Sequence, residues 1–414
     1  MATGKRPSTV LPFVYADTAL AASGVEAPPQ LPSVQDETWK YTNLARLAET
    51  DFAGPTPVDL CEDDIARLAP YGGSEHLVVI ANGALVPGFG PAPGDVPGLD
   101  IELAAPGSAG DHLPLAAMNA ALPGDCVSVR LSAGTRLQHP LRIVFVASSD
   151  GEPRAWHPRI EMELGENAEA TVIEQHIAAG DGAYWSNVVV AVSLAEGAAL
   201  HHYRHQGAGS DAWHTAATIA RLTDGAVYDN FVLSTGAALS RNEVHVELAG
   251  EGAACHLNGA YLMDGSQHAD TTTVVDHLAP ACTSRQNYRG VLDGKSRGVF
   301  QGQVKVARGA QKTDGEQMSR TILLSREAEM DTKPELEIYA DDVKCAHGAT
   351  VGELEDEQLF YLRTRGLSLD AARSLLIEGF MSEQLGFVAD PGTRGLMADA
   401  VKGWLEARAT RAAV

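Results

Sequence analysis

Between about residue 126 and residue 350 the chain alternates short runs of Val, Ile, Leu, Tyr and Thr with small turns, the pattern of many short strands. Apolar and polar residues alternate in runs such as Glu161-Met162-Glu163-Leu164 and Val190-Ala191-Val192-Ser193-Leu194. The turns that follow share a signature of an acidic or polar residue, then Gly or Asn, then Ala. It recurs at Glu166-Asn167-Ala168, Glu196-Gly197-Ala198, Asp224-Gly225-Ala226 and Glu251-Gly252-Ala253, with Gly309-Ala310 about two further periods on. The spacing of the first four is 27 to 30 residues. Equal coils of strand that close layers of one shared core are the mark of a β-solenoid. A β-sandwich is the rival, and the regular period with no Asn-Gly hairpin turn in this stretch favours the solenoid.

On either side the periodicity changes. Residues 1–125 mix helix and loop signals. Leu60–Leu68 opens with three acids, a helix start; His76–Ala81 is a short strand broken at Asn82-Gly83. Pro87–Pro97 must be loop, and Leu113–Leu122 reads as a short helix ended by Pro123-Gly124. Residues 351–414 read as helical. Acids open and arginines close a helix over 355–365, Gly366 suits a left-handed cap, Ser368 caps the next helix, and a last helix runs from about Leu396 to Arg408 after Asp390-Pro391-Gly392.

Composition narrows the function classes. The 414 residues carry a net charge of -23, which repels phosphate backbones and anionic lipid and argues against nucleic-acid or membrane binding. The helical hairpin is no DNA reader, since six acids face three arginines over residues 353–378. The five cysteines are widely spaced with no Cys-x-x-Cys pair, so neither a disulfide framework nor a zinc finger is indicated. No apolar run is long enough for a signal core or a membrane span, and the expectation is a cytoplasmic protein.

The candidate chemistry lies near the end of the strand region. In Lys344-Cys345-Ala346-His347, thiol and imidazole stand at i and i+2, on one face of a strand and about 6.5 Å apart at a rise of roughly 3.3 Å per residue. They could share one soft or borderline metal, but two ligands do not close a site that wants about four. Such a site would be open, transient or completed by another chain. Alternation also puts Asp341 and Val343 on this face, so core packing of Val343 and Cys345 with His347 at the rim is the competing reading. Lys344 would lower the thiol pKa and Asp341 and Asp342 would raise it, leaving the sign open.

Other motifs are weaker. Gly290-Val291-Leu292-Asp293-Gly294-Lys295-Ser296 has one residue too few between its glycines for a phosphate loop and reads as a turn. His201-His202-Tyr203-Arg204-His205 reads as a solvated strand face. His245 and Glu247 could seed a two-histidine, one-carboxylate iron site, the basis of an alternative reading as a single-chain non-haem iron metalloenzyme on a β-solenoid. Asp276-His277 with Cys282 reads as a loop histidine and a buried cysteine.

Several longer stretches resemble one family. They include Ser240-Arg241-Asn242, Gly250-Glu251-Gly252-Ala253, His256-Leu257-Asn258-Gly259, Gly290-Val291-Leu292-Asp293-Gly294 and Arg297-Gly298-Val299-Phe300. Gln311-Lys312-Thr313-Asp314, Asp331-Thr332-Lys333-Pro334, the Cys345/His347 run and Gln358 to Gly366 continue the series, with Trp39-Lys40-Tyr41-Thr42 near the start. In these the chain resembles the SufB/SufD family of iron–sulfur cluster assembly proteins, closest to its SufD branch. The resemblance implies a mainly β fold, a right-handed parallel β-helix core between helical N- and C-terminal regions. It implies a non-catalytic subunit of an assembly complex with a SufB-like paralogue and a SufC-like ABC ATPase, and a homodimer when the chain is alone. A transient Fe–S cluster or iron would sit at the paralogue interface through His347 and Cys345, with none tightly bound to the isolated chain. The ATPase would meet the helices through Phe360, Tyr361, Leu362, Arg363, Arg365 and Leu376. Where the SufB branch carries a cluster-building cysteine, this chain reads Gln317-Met318-Ser319-Arg320-Thr321, which implies that it cannot scaffold a stable cluster by itself.

Overall fold

The computed structural model describes residues 31–412 apart from 109, 111 and 150. The first thirty residues of the expected N-terminal region lie outside the described residues. Two long sheets face each other and wind into a parallel β-solenoid of about eight coils. One sheet runs from the hairpin His76–Ala81/Ala84–Leu85 through alternate strands to Asp314–Leu323 and finally Lys344–Gly352. The other runs from Leu99–Ala104 to Arg297–Val306 and finally Glu329–Ile338. Strand pairing is parallel and in register from coil to coil, except for the antiparallel pairs at the first end of each sheet. Inward side chains of both sheets form one elongated core that includes Leu200, Val190, Tyr228, Val246, Leu257 and Phe300.

The recurring turn signature has a direct cause. Asn167, Gly197, Gly225 and Gly252 all have left-handed backbones, with φ of 56°, 67°, 63° and 70° in turn. Gly and Asn adopt this conformation at least cost. Each donates its N–H to a carbonyl in the next coil, as Gly197 does to Asp224 O at 2.9 Å and Gly225 to Glu251 O at 2.9 Å. The following alanines stack in a fully buried column, where the coil spacing leaves room only for small side chains. The ladder continues at Ala281 and Lys312, φ 58° and 60°, with Cys282 and Thr313 in the alanine places. Gly309-Ala310, expected as the later repeat, precedes that turn by three residues.

Among the described residues six α-helices flank the solenoid: α1 Ala45–Ala48, α2 Glu62–Leu68, α3 Pro114–Ala121, α4 Asp356–Thr364, α5 Leu369–Leu385 and α6 Pro391–Ala412. The last starts five residues before Leu396, because Asp390 caps it by accepting Thr393 N at 2.7 Å and Pro391 fits its first turn. Asn82-Gly83, read as a strand break, is the left-handed pair of the first hairpin (φ 46° and 82°), and buried Asn82 ties Thr56 O and Ser148 to it. Helices α5 and α6 bury Ile377, Met381, Leu385, Val401 and Trp404 against Tyr203, Phe231 and Leu262 on the outside of the first sheet. Arg408 and Arg411 clamp the turn aspartates Asp293 and Asp264. The near-phosphate-loop is thus a turn and a helix anchor.

Opposite, an N-terminal strap crosses the second sheet. Trp39 is buried, and the Arg241 guanidinium lies 3.8 Å from the centre of its ring. Arg241 pairs with Asp270, which also accepts from Thr42 and Thr272. Glu37 reaches Lys333 of the last strand of this sheet at 2.6 Å.

Candidate functional site at the open end of the solenoid

Each sheet has an end strand with a neighbour on one side only. Lys344–Gly352 pairs with Asp314–Leu323 alone, and Glu329–Ile338 with Arg297–Val306 alone. The two edges lie side by side and leave a row of backbone donors and acceptors free, the arrangement that templates pairing with another strand. Tyr339 (63% exposed), Ile338 and Val351 present apolar surface there. At the opposite end the hairpin and the antiparallel Leu99–Ala104 close the stack.

Cys345 and His347 sit on this edge. Strand register stacks Cys345 on Gly315 and His347 on Gln317. Cys345 packs against the solenoid core and is half-buried, whereas His347 is exposed. This is the arrangement of the packing reading: the thiol lines the interior and the imidazole stands at the rim. Burial raises the Cys345 thiol pKa, Gly315 N–H offsets part of this, and the Asp314 charge adds to it. The sign left open by the sequence is upward. Among the described residues no three His, Cys, Asp or Glu side chains are disposed to hold a metal. Cys345 and His347 are two donors at an unpaired edge, and a metal held there would need ligands from outside this chain.

Other candidate groups lie elsewhere. Glu247 is drawn to Arg221, while His245 Nε2 meets Glu243 Oε1 at 3.2 Å, so the two do not converge on one point. The His201–His205 run is less solvated than its pattern indicates. His201 is half-buried and meets Asp229 at 2.8 Å, and His205 Nε2 meets Thr235 Oγ1 at 3.1 Å. His202 and Arg204 point inward and bind Glu174, at 2.5 and 2.8 Å, with His176 at 3.1 Å. Burial opposes the charge of Glu174, but Arg204 and the two histidines hold its carboxyl well below the usual range. His202 was visible in the run; nothing near Glu174 in the sequence signals the network. His277 ends a strand rather than lying in a loop, and its Nε2 meets Ser284 Oγ at 2.9 Å.

A second surface stands apart from the edge. Helix α4 buries none of its residues, and Phe360 and Tyr361 are 71% and 57% exposed. Arg363 is exposed, Arg365 lies over the Tyr361 ring at 5.1 Å, and Leu362 and Leu376 are half-buried. Leu375, one residue from the expected Leu376, is the more exposed and joins Leu367 and Leu369 in this patch. Exposed aromatic and aliphatic side chains gathered in this way are the composition of protein-contact surfaces in general.

By architecture this is a parallel β-solenoid protein with an open end and a helical arm. Residues 145–380 match the SufBD core domain of the SUF system for FeS cluster assembly. Over 380 residues the chain is 30% identical to an iron-sulfur cluster assembly SufBD family protein of Synechocystis, covering 86% of this chain and 83% of that one. Over 268 residues it is 34% identical to the iron-sulfur cluster assembly protein SufD of Escherichia coli, 64% of this chain and 63% of that one. A chloroplastic protein of Arabidopsis thaliana, ABCI7, is 31% identical over 290 residues, 68% of this chain and 61% of that one. The matched stretch spans less than two thirds of the last two. The chain belongs to the SufB/SufD family of iron–sulfur cluster assembly proteins, on its SufD side.

Proposed function

We propose that this chain is the non-catalytic subunit of an iron–sulfur assembly complex. The observation that carries the reading is the pair of unpaired sheet edges with Cys345 and His347 between interior and rim. A related solenoid, the SufB-like paralogue, adds its own edge strands here and supplies the missing ligands for iron or a nascent Fe–S cluster, which is cargo rather than a resident group. When the chain is alone, a second copy takes the same edges. The SufC-like ABC ATPase docks on α4 and the start of α5 through Phe360, Tyr361, Leu362, Arg363, Arg365 and Leu376. Its ATP-driven movement reaches the first sheet through α5, where Gln384 Nε2 donates to Asn287 O at 2.6 Å and Arg289 donates to Phe380 O at 2.7 Å. The reading places the complex in the cytoplasm. No helix among the described residues is long and apolar enough to cross a membrane.

The test is anaerobic co-purification from the native host with two surface variants. Phe360→Ser with Tyr361→Ser is expected to lose the ATPase and keep the related chain. Tyr339→Asp with Val351→Lys is expected to do the reverse. Retention of both partners by both variants would overturn the assignment of these surfaces.

A further inference from the structure

Directly beneath the open end the interior holds polar atoms with no protein partner. Gln317 is fully buried, and neither its Nε2 nor its Oε1 meets a hydrogen-bonding group. Its neighbour in the last coil is His347, and in the coil below it is Gln286. Gln286 accepts Thr273 Oγ1 at 2.7 Å through Oε1, while its buried Nε2 is again without a partner. Two glycines pack closely against this column. A Cβ on Gly302, across the interior, would stand 2.9 Å from Gln317 Nε2. A Cβ on Gly315 would meet Ser284 Oγ at 3.3 Å and Cys345 Sγ at 3.6 Å, so this glycine lies directly against the thiol.

A buried amide with no partner destabilises a fold, and an apolar side chain of the same shape would not. The amide is therefore expected to meet a group that is absent from the isolated chain. Only the last coil separates it from the open end, and that end carries the thiol and the imidazole. We infer that Gln317 is a positioning residue for the cargo held there: its amide N–H donates to anionic sulfur of the sulfide class bound with iron at the Cys345–His347 end. This rests on the assembly reading proposed above. A neutral N–H donor suits sulfide, because it stabilises negative charge on sulfur without competing for the metal. Gln286 continues the amide column one coil deeper.

The experiment uses the complex with its partners, loaded anaerobically with Fe(II) alone and then with Fe(II) and sulfide. Wild type, Gln317→Met and His347→Ala are compared for iron, acid-labile sulfide and Fe–S stretching frequencies by resonance Raman. Q317M is expected to melt at or above the wild-type temperature and to hold Fe(II) as wild type does. Its sulfide content is expected to fall by about tenfold, at the lower end of what outer-shell partners of metal sites cost, with the Fe–S bands of the remainder shifted. Gln317→Asn, which withdraws the amide by one methylene, carries the same expectation for sulfide content and Fe–S bands. Sulfide content and bands equal to wild type would overturn the inference, as would a lowered melting temperature, which would mark the amide as satisfied within the fold. A wild-type complex that takes up neither iron nor sulfide would remove both readings, whereas a loaded wild type matched by Q317M removes this one alone.

Discussion

At the scale of single residues, the solenoid runs on shape matching between successive coils. Gly290 lies where the Tyr261 ring crosses, and a Cβ there would stand 2.1 Å from that ring. The ring cannot step aside, because its hydroxyl is held by Thr321 at 2.9 Å. Gly290→Ala is expected to cost about 1–3 kcal/mol, the range for overpacking a tight core, measured by urea unfolding of the isolated chain. A cost near zero would show that the ring has freedom the packing denies it. Trp39 gives the opposite kind of case. Trp39→Ala removes a buried indole and the stacking partner of Arg241, and is expected to cost about 3–5 kcal/mol in the same assay. Its motif was legible in the sequence only as a family likeness, because a lone Trp in a loop-rich stretch has no periodicity to declare its contacts. Cys345 and His347 were legible as a same-face pair from alternation alone. Gln317 was not, since its meaning depends on which residues stack above and below it, and register between coils is not written in any one strand.

At the scale of elements, the left-handed turn sets the coil. Four of its positions could be read because they hold Gly or Asn, the residues that tolerate positive φ. Ala281 and Lys312 occupy the same conformation without that signature, at a strain of about 1–3 kcal/mol each, and so were invisible. Lys312→Gly is therefore expected to raise the melting temperature, checked by calorimetry; no change would mean that the ladder hydrogen bond to Asp342 already absorbs the strain. The helical hairpin was legible from its caps, as Gly366 at φ 94° and Ser368 accepting Ala371 N at 3.2 Å bear out. That α4 would stand clear of the solenoid was not, because an exposed Phe and a core Phe look alike in sequence.

At the scale of the whole molecule, many imidazoles are folded in neutral form. Burial lowers His205 and His277 to about 4, and His157 to about 3. Each value lies below the unfolded one of about 6.5. Between those limits the unfolded chain binds protons that the folded chain refuses, so stability is full above pH of about 6.5 and falls as pH drops toward 4. His201, raised by its bond to Asp229, works in the other direction but is a single group. The melting temperature is expected to be lower at pH 5 than at pH 7.5, and a flat profile would contradict the burial of these rings. The solenoid itself was legible from its period, whereas its end was not: sequence shows where strands stop, not that two edges stop together. That coincidence is the basis of the proposed role. The most direct test is the iron and acid-labile sulfide content of the complex purified anaerobically with wild type or His347→Ala. The account predicts the same partners in both and a loss of iron and sulfide in the variant. Equal content in the two would contradict it.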